Sequence, residues 1–346
     1  MERINKKSKT RKKRVSLKEQ FTLHAMALPG AILLILFVFF PIIGLYIAFV
    51  EFIPPEAGTG WFFPGTQVLI PASPFFRALF DSRFIGFTAF AEVFRMPEFG
   101  LAVRNTVLIA FLKIVFQTLA GIVLALLLNE IGIRFAAGRF FKKIFQSAYF
   151  VPFFISWVLL GAMMLEMFSR DGIATVILEP VARGINNILG REHRSFFSDP
   201  QWFRIILIAS DVWRVMGYQA IFFLAAITGV NMSLYEAAKV DGANYWKQCR
   251  HVTIPGIMPI IILISVLNMG NIMNAGFEQI LVLSNDMVFN VSEILDTMAY
   301  RIVFYQSGTD VWTQSTVVGL FRAVVACIVF VGSYTFAAKK LKYNIF

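Results

Sequence analysis

The stretch YEAAKVDGANYWKQCRHVTIPGIMP, Tyr235 to Pro259, interrupts two long apolar runs. Glu236, Lys239, Asp241, Lys247, Arg250 and His251 fall within 16 residues of it. Just upstream, SLYE at 233–236 has the form of a capping box. The Ser233 hydroxyl can accept from the Glu236 amide while the Glu236 carboxylate returns to the Ser233 amide. The pattern predicts a helix over 234–240 that stops at Asp241-Gly242, where glycine permits a left-handed turn or a close backbone approach. A second helix over 244–251 presents Tyr245, Trp246, Lys247 and Arg250, and Pro255 and Pro259 limit it. Small Ala237 and Ala238 leave one face thin, which suits insertion into a groove of another protein. A hairpin that only joins two membrane spans fits the same residues.

The flanks settle the class. The chain has 346 residues, of which 58% are hydrophobic and only 15% charged. Its mean hydropathy is +0.69. Soluble domains carry about 25% charged residues. An all-α integral membrane protein is expected. Cys249 and Cys327 lack CxxC spacing, and His24, His193 and His251 share no ligand spacing. Neither a disulfide framework nor a metal site is expected. In a soluble protein the net charge of +11 would suggest nucleic acid. Here basic residues mark cytoplasmic loops, and no nucleic-acid partner is expected.

A helix needs about 20 apolar residues to cross the bilayer core. Six segments qualify: 25–50, 105–128, 144–168, 202–230, 257–277 and 317–337. Residues 1–24 form a basic tail with nine Lys/Arg against Glu2 and Glu19, which should stay in the cytoplasm. With that end inside, nineteen Lys/Arg fall in inner segments and eight in outer loops. Both termini are therefore placed in the cytoplasm. The organisation is a tail over 1–24, a first span over 25–51, an extracytoplasmic region over 52–100, and a five-helix core over 101–340 whose inner loop is 231–256. The region 52–100, rich in Pro, Gly and Phe, reads as folded rather than as a free linker.

The hairpin resembles the EAA loop of permease subunits of bacterial ATP-binding-cassette importers. That signature is Glu-Ala-Ala, a glycine four residues on, nine further residues, then an aliphatic-x-aliphatic-Pro. Here it reads Glu236-Ala237-Ala238, Gly242, and Val252-Thr253-Ile254-Pro255. Val252 stands where Ile is more usual. The segments NTVLIAFLKIVFQTLAGIVLALLLNE (105–130), VPFFISWV (151–158), DVWRVMGYQAIFFLAAITGV (211–230), GNIMNAGFEQILVLSN (270–285) and DTMAYRIVF (296–304) are similar to oligosaccharide and polysaccharide permeases of the LplB type. The likeness covers roughly 84–340; the insert 52–83 is not part of it.

The resemblance implies a six-helix type I importer permease (MetI-like) fold in a bacterial inner membrane. It also implies a second, related permease subunit, two ATP-binding subunits that carry ATP and magnesium, and an extracytoplasmic solute-binding protein. The loop would be the coupling helix that docks on an ATPase through Glu236, Ala237, Ala238, Asp241, Gly242, Ala243, Lys247, Arg250 and Pro255. No cofactor is implied in this chain.

Polar side chains inside spans are costly and mark a path or a packing contact. In the fifth span Asn268, Asn271, Asn274 and Glu278 are spaced to share one helical face. Amides both donate and accept, which suits sugar hydroxyls. Hydrogen bonding between helices would use them equally well. In the fourth span Asp211 and Arg214 can pair at i,i+3, with Trp213 beside them. Trp157 can stack on a pyranose or pack in the core. Lys113 in the second span can snorkel, pair, or meet an anionic sugar.

No catalytic constellation is legible. GxxxxGK[ST], HExxH and GxSxG are absent, so this chain would not hydrolyse ATP by a phosphate-loop mechanism. The favoured reading is a permease subunit of an ATP-driven, binding-protein-dependent importer of oligo- or polysaccharide. A membrane-embedded glycosyl or lipid transferase would need an acid or metal cluster at the membrane edge. An ion-coupled secondary transporter would need intramembrane acids, and Asp211 is the one mid-span acid with a good case.

Overall fold

The computed structural model describes residues 17–54, 61–62, 69–70, 78–134, 138–188, 190, 195–308 and 310–340. Most of the basic tail (1–16) and much of the insert after the first span lie outside the described residues. Five helices are long and apolar enough to cross a membrane: His24–Phe49, Pro97–Glu130, Pro200–Thr228, Tyr245–Met269 and Val311–Lys339. The expected third span is instead a broken pair, Ile144–Phe154 and Trp157–Met167, which meet at 99°. Pro152 sits at the end of the first half, and Ser156 caps the second by accepting from the Leu159 amide. A proline that cannot continue a helix, followed by a capping serine, is a local instruction to turn.

In chain order, α1 (Leu17–Leu34) leads through a π turn and a 3-10 stretch to Phe49. A two-residue antiparallel pairing, β1 (Trp61–Phe62) with β2 (Leu69–Ile70), is the only sheet among the described residues. There follow α2 (Thr88–Arg95), α3 (Pro97–Arg134), α4 (Gly138–Phe150), α5 (Trp157–Met167) and α6 (Ile173–Ile188). Next come α7 (Pro200–Thr228), α8 (Met232–Val240), α9 (Tyr245–Gln248) and α10 (Ile254–Met269). The chain closes with α11 (Phe277–Leu283), α12 (Phe289–Ser292), α13 (Leu295–Tyr305) and α14 (Val311–Lys340).

Helices α3 and α7 run side by side in the same direction and form the centre. At the hairpin end Leu124, Ala125 and Leu128 pack with Ala220, Phe223, Leu224, Ile227 and Ile257. In lipid such packing rests on close contact rather than on escape from water. Gly217 shows how close: a Cβ there would lie 1.9 Å from the Tyr149 carbonyl oxygen at the end of α4. At the other end buried Asn105 donates to the carbonyls of Asn290 (3.1 Å) and Glu293 (3.0 Å), and the Leu295 amide donates to Thr106 Oγ1 (3.0 Å). These bonds hold α12 and α13 over the start of α3. The first span stands apart, with 6% of its most apolar window buried. Its C-terminal end is tied to α14 by Thr313, whose hydroxyl donates to Val50 O (2.9 Å) and accepts from Phe52 N (3.3 Å). Beyond it, Glu51 N bonds Arg83 O, Ile85 N bonds Phe49 O, and Phe49, Phe87, Phe90, Phe94 and Phe99 pack as an aromatic row.

Two local expectations are corrected. The first hairpin helix starts at Met232, and its N-cap is Asn231, which accepts from Ser233 N at 3.0 Å. Asn is as good a cap as Ser and stands two residues earlier, so Ser233 lies inside the helix. The second is not a separate short helix: α9 continues through a π turn, Cys249–Thr253, directly into α10. Pro255 directly follows the π turn and does not divide the rod.

Candidate functional site

The fifth span ends at Met269, well before the expected 277. Four i→i−3 backbone bonds follow or overlap that end, among them Asn271 N to Asn268 O (2.9 Å) and Asn274 N to Asn271 O (2.8 Å). Gly276, at φ 95°, then starts α11. Asn268, Asn271, Asn274 and Glu278 therefore do not share a helical face: the first ends the helix, the next two ride a turn, and the last opens the next helix. Asn and Gly are poor helix formers, and NMGNIMNAG contains five of them in nine residues.

The turn forms one wall of a half-open cavity of about 1280 Å³ lined by α3, α7, α10, α11, α13, α14 and the elbow before α5. All four of these residues line it, as do Lys113, Trp157, Asp211 and Arg214. Trp213 does not. It lies two residues from Asp211, roughly 200° around the helix at 3.6 residues per turn, and is 42% exposed on the outer surface.

Lys113 is buried and joins three elements. Its ammonium donates to Ala275 O (2.7 Å) and Gln279 Oε1 (2.6 Å), and its Nζ lies 3.4 Å from Asp211 Oδ2. Gln117 donates to the same Asp211 oxygen at 2.8 Å. Gln279 in turn donates to Leu207 O (2.8 Å) and Ser210 Oγ (2.9 Å). This network pins the asparagine turn to α3 and α7. It corrects the expected Asp211–Arg214 pair. Residues at i,i+3 share a face, but Asp211 turns to α3 and Arg214 turns to the elbow. There Arg214 Nε donates to Ile155 O at 3.1 Å, and the guanidinium lies over Trp157 (5.0 Å) and Phe153 (5.7 Å).

Sequence reasoning missed Gln117, Phe153 and Asp296 on the wall and gave Tyr218, Gln219 and Arg322 no settled role. Phe153 and Tyr218 stack at 4.5 Å and 6°, a flat aromatic surface beside Arg214. Arg322 pairs with Asp296. Burial pushes the Asp296 carboxyl above the ordinary carboxylate range, while Arg322 beside it pulls the other way. Asn268 Nδ2 and Gln219 Oε1 are buried without a hydrogen-bond partner among the described residues. Leaving a buried donor and a buried acceptor unsatisfied is costly. The chemistry available is binding: amides, aromatic faces and the guanidiniums of Arg214 and Arg322 around a roomy space. Among the described residues no group of three or more His, Cys, Asp or Glu could hold a metal.

The hairpin is a second candidate surface. Gly242 has φ 71° with open space around it, so the turn and not packing requires glycine. Its amide bonds Lys239 O (3.0 Å) and the Ala243 amide bonds Ala238 O (2.9 Å), a Schellman ending. Tyr235 and Thr253 hydroxyls meet at 3.0 Å and tie the two arms. Glu236, Ala237, Asp241, Gly242, Lys247, Arg250 and Pro255 are exposed; Ala238 and Ala243 are half-buried. Val240 and Trp246 are bare at 88% and 77%.

The family of binding-protein-dependent transport system inner membrane components matches residues 117–343. The polygalacturonan/rhamnogalacturonan transport system permease protein YteP of Bacillus subtilis (strain 168) is 33% identical over 94% of this chain and 90% of its own length. Protein LplB of the same organism is 31% identical over 94% and 91%. A chain of the crystal structure of a bacterial alginate ABC transporter in complex with alginate pentasaccharide-bound periplasmic protein superposes with TM-score 0.74 at 28% identity. That match covers 95% of this chain and 98% of the other.

Proposed function

The chain belongs to the family of binding-protein-dependent transport system inner membrane components, and from that premise we propose how it works as the membrane-spanning permease of an ATP-driven saccharide importer. The observation that carries the reading is the cavity: about 1280 Å³, half-open, and walled by amides, stacked aromatics and two guanidiniums. Hydroxyl-rich guests are bound by groups that donate and accept and by flat apolar faces, and this wall supplies both. The relatives named above handle polygalacturonan, rhamnogalacturonan and alginate, which are all saccharides of several units.

In this reading Asn268, Asn271 and Asn274 bind passing hydroxyls, and Lys113 holds their turn in place. The hairpin, with Gly242 at its corner and Val240 and Trp246 bare, docks on an ATP-binding subunit, where ATP and magnesium are held. A second permease closes the open side of the cavity, and a solute-binding protein delivers the saccharide at the end opposite the hairpin. That places the hairpin and both termini in the cytoplasm. Alternating access then follows from the two permeases rocking about the cavity. The test is reconstitution of the purified complex in proteoliposomes with its binding protein. Saccharide-loaded binding protein should raise ATP hydrolysis and drive sugar inward; a chain that isolates without any ATP-binding subunit would sink the reading.

A further inference from the structure

Resting on the permease reading, we propose that Arg214 makes this cavity selective for sugars that carry a carboxylate. Three cations line the space: Lys113, Arg214 and Arg322. Lys113 is spent on Asp211, Ala275 O and Gln279. Arg322 is paired with Asp296. Arg214 uses only Nε, on Ile155 O, and among the described residues its terminal nitrogens hold no partner. A guanidinium without a counter-charge at membrane depth is costly and marks a working site.

The surroundings fix what that site takes. Trp157 and Phe153 hold the guanidinium by their faces, which leaves its edge free. That edge is a planar fork matched to a carboxylate through two parallel bonds. Beside it, Tyr218 stacked on Phe153 offers a flat surface for the face of a sugar ring. A uronate carries both a ring face and a carboxylate. On the same wall Lys113 and Asp211 offset each other, which leaves the charge of Arg214 uncompensated among the described residues. The other unpaired charge of the cavity is Glu278, exposed on the first turn of α11. It repels an anion locally and leaves the Arg214 wall as the seat of the carboxylate.

The test uses the complete transporter, isolated with its own partner subunits and binding protein, in proteoliposomes. Uptake is measured for oligogalacturonates and oligomannuronates, for their methyl esters, and for neutral oligosaccharides of equal length. The ester removes the charge and adds one methyl group. Wild type should take up an acid roughly tenfold or more faster than its ester, since a charge-assisted bidentate contact is at stake. Arg214→Gln should collapse that ratio toward one, and Arg214→Lys, which keeps charge without the fork, should give an intermediate ratio. Because the binding protein is the same throughout, the change in ratio reports on this chain. Equal uptake of acid, ester and neutral sugars by wild type overturns the proposal, and so does an unchanged ratio in Arg214→Gln. Should that variant fail to assemble, Arg214→Lys decides: a lowered ratio supports the role and a full ratio overturns it. Wild type that moves no saccharide at all rejects the permease reading, and this proposal with it.

Discussion

Lys113 and Asp211 face each other across the central helix pair at 3.4 Å, and the same ammonium holds the asparagine turn through Ala275 O and Gln279. Removing one partner of a buried pair leaves a bare charge, at a cost of roughly 3–5 kcal/mol, whereas removing both is often tolerated. Lys113→Met should lower the melting temperature of the detergent-purified complex and abolish transport. Lys113→Met with Asp211→Leu should recover much of the stability. A double variant no more stable than the single one would mean that the pair is not what Lys113 supplies.

Gly217→Ala places a carbon 1.9 Å from a backbone oxygen, and neither helix can yield a side chain to relieve it. Overpacking of this kind costs about 1–3 kcal/mol or more. Gly332→Ala, which meets nothing within 4 Å, is the matched control. Thermal unfolding should separate the two variants clearly; equal stability would show that α4 and α7 approach less closely.

Gly242→Asp forces a side chain onto a left-handed residue and adds charge to the hairpin corner. Asp tolerates this conformation better than most residues, so the strain is small and the charge is the main change. Saccharide uptake should fall at least about tenfold while the chain still inserts and folds. Wild-type uptake in this variant would refute the docking role of the hairpin.

Asn271→Leu and Asn274→Leu remove donors and acceptors while roughly keeping volume. Asn274 also accepts from Gly276 N at 3.3 Å, so its variant should loosen the turn as well. Both should slow uptake or shift sugar preference, Asn274→Leu more strongly. Normal kinetics in both would make the turn a packing element and move the path to α3, α7 or the partner permease.

Orientation is open to chemical labelling once Cys249 and Cys327 are replaced. Cysteines at Ser169 or Ser307 should react with an impermeant maleimide in intact cells, and one at Ser233 should not. The opposite pattern would reverse the placement of the hairpin.

Long apolar runs made the spans legible, because length and hydropathy are local properties. The Gly242 corner was legible for the same reason: Asp-Gly after a charged helix leaves few alternatives. The break after Met269 was written in its Asn and Gly residues, but Ile272 and Met273 kept the run apolar and hid it. The partners of Asp211 and Arg214 were not legible. Spacing says that two residues share a face, and it is silent on which neighbouring helix each meets. Phe153 and Tyr218 became a wall only because the end of α4 packs against α7 beside Gly217, and no period in the sequence encodes that contact.

Helix Tyr245–Met269 begins at the corner of the exposed hairpin and ends one residue past Asn268 on the cavity wall. Twenty-five residues at about 1.5 Å each give a rod of about 37 Å with no loop along it. A loop would absorb a push as slack; a hydrogen-bonded helix delivers it as displacement. The hairpin and the asparagine turn are thus the two ends of one continuous helix, and a displacement imposed on one should be felt at the other.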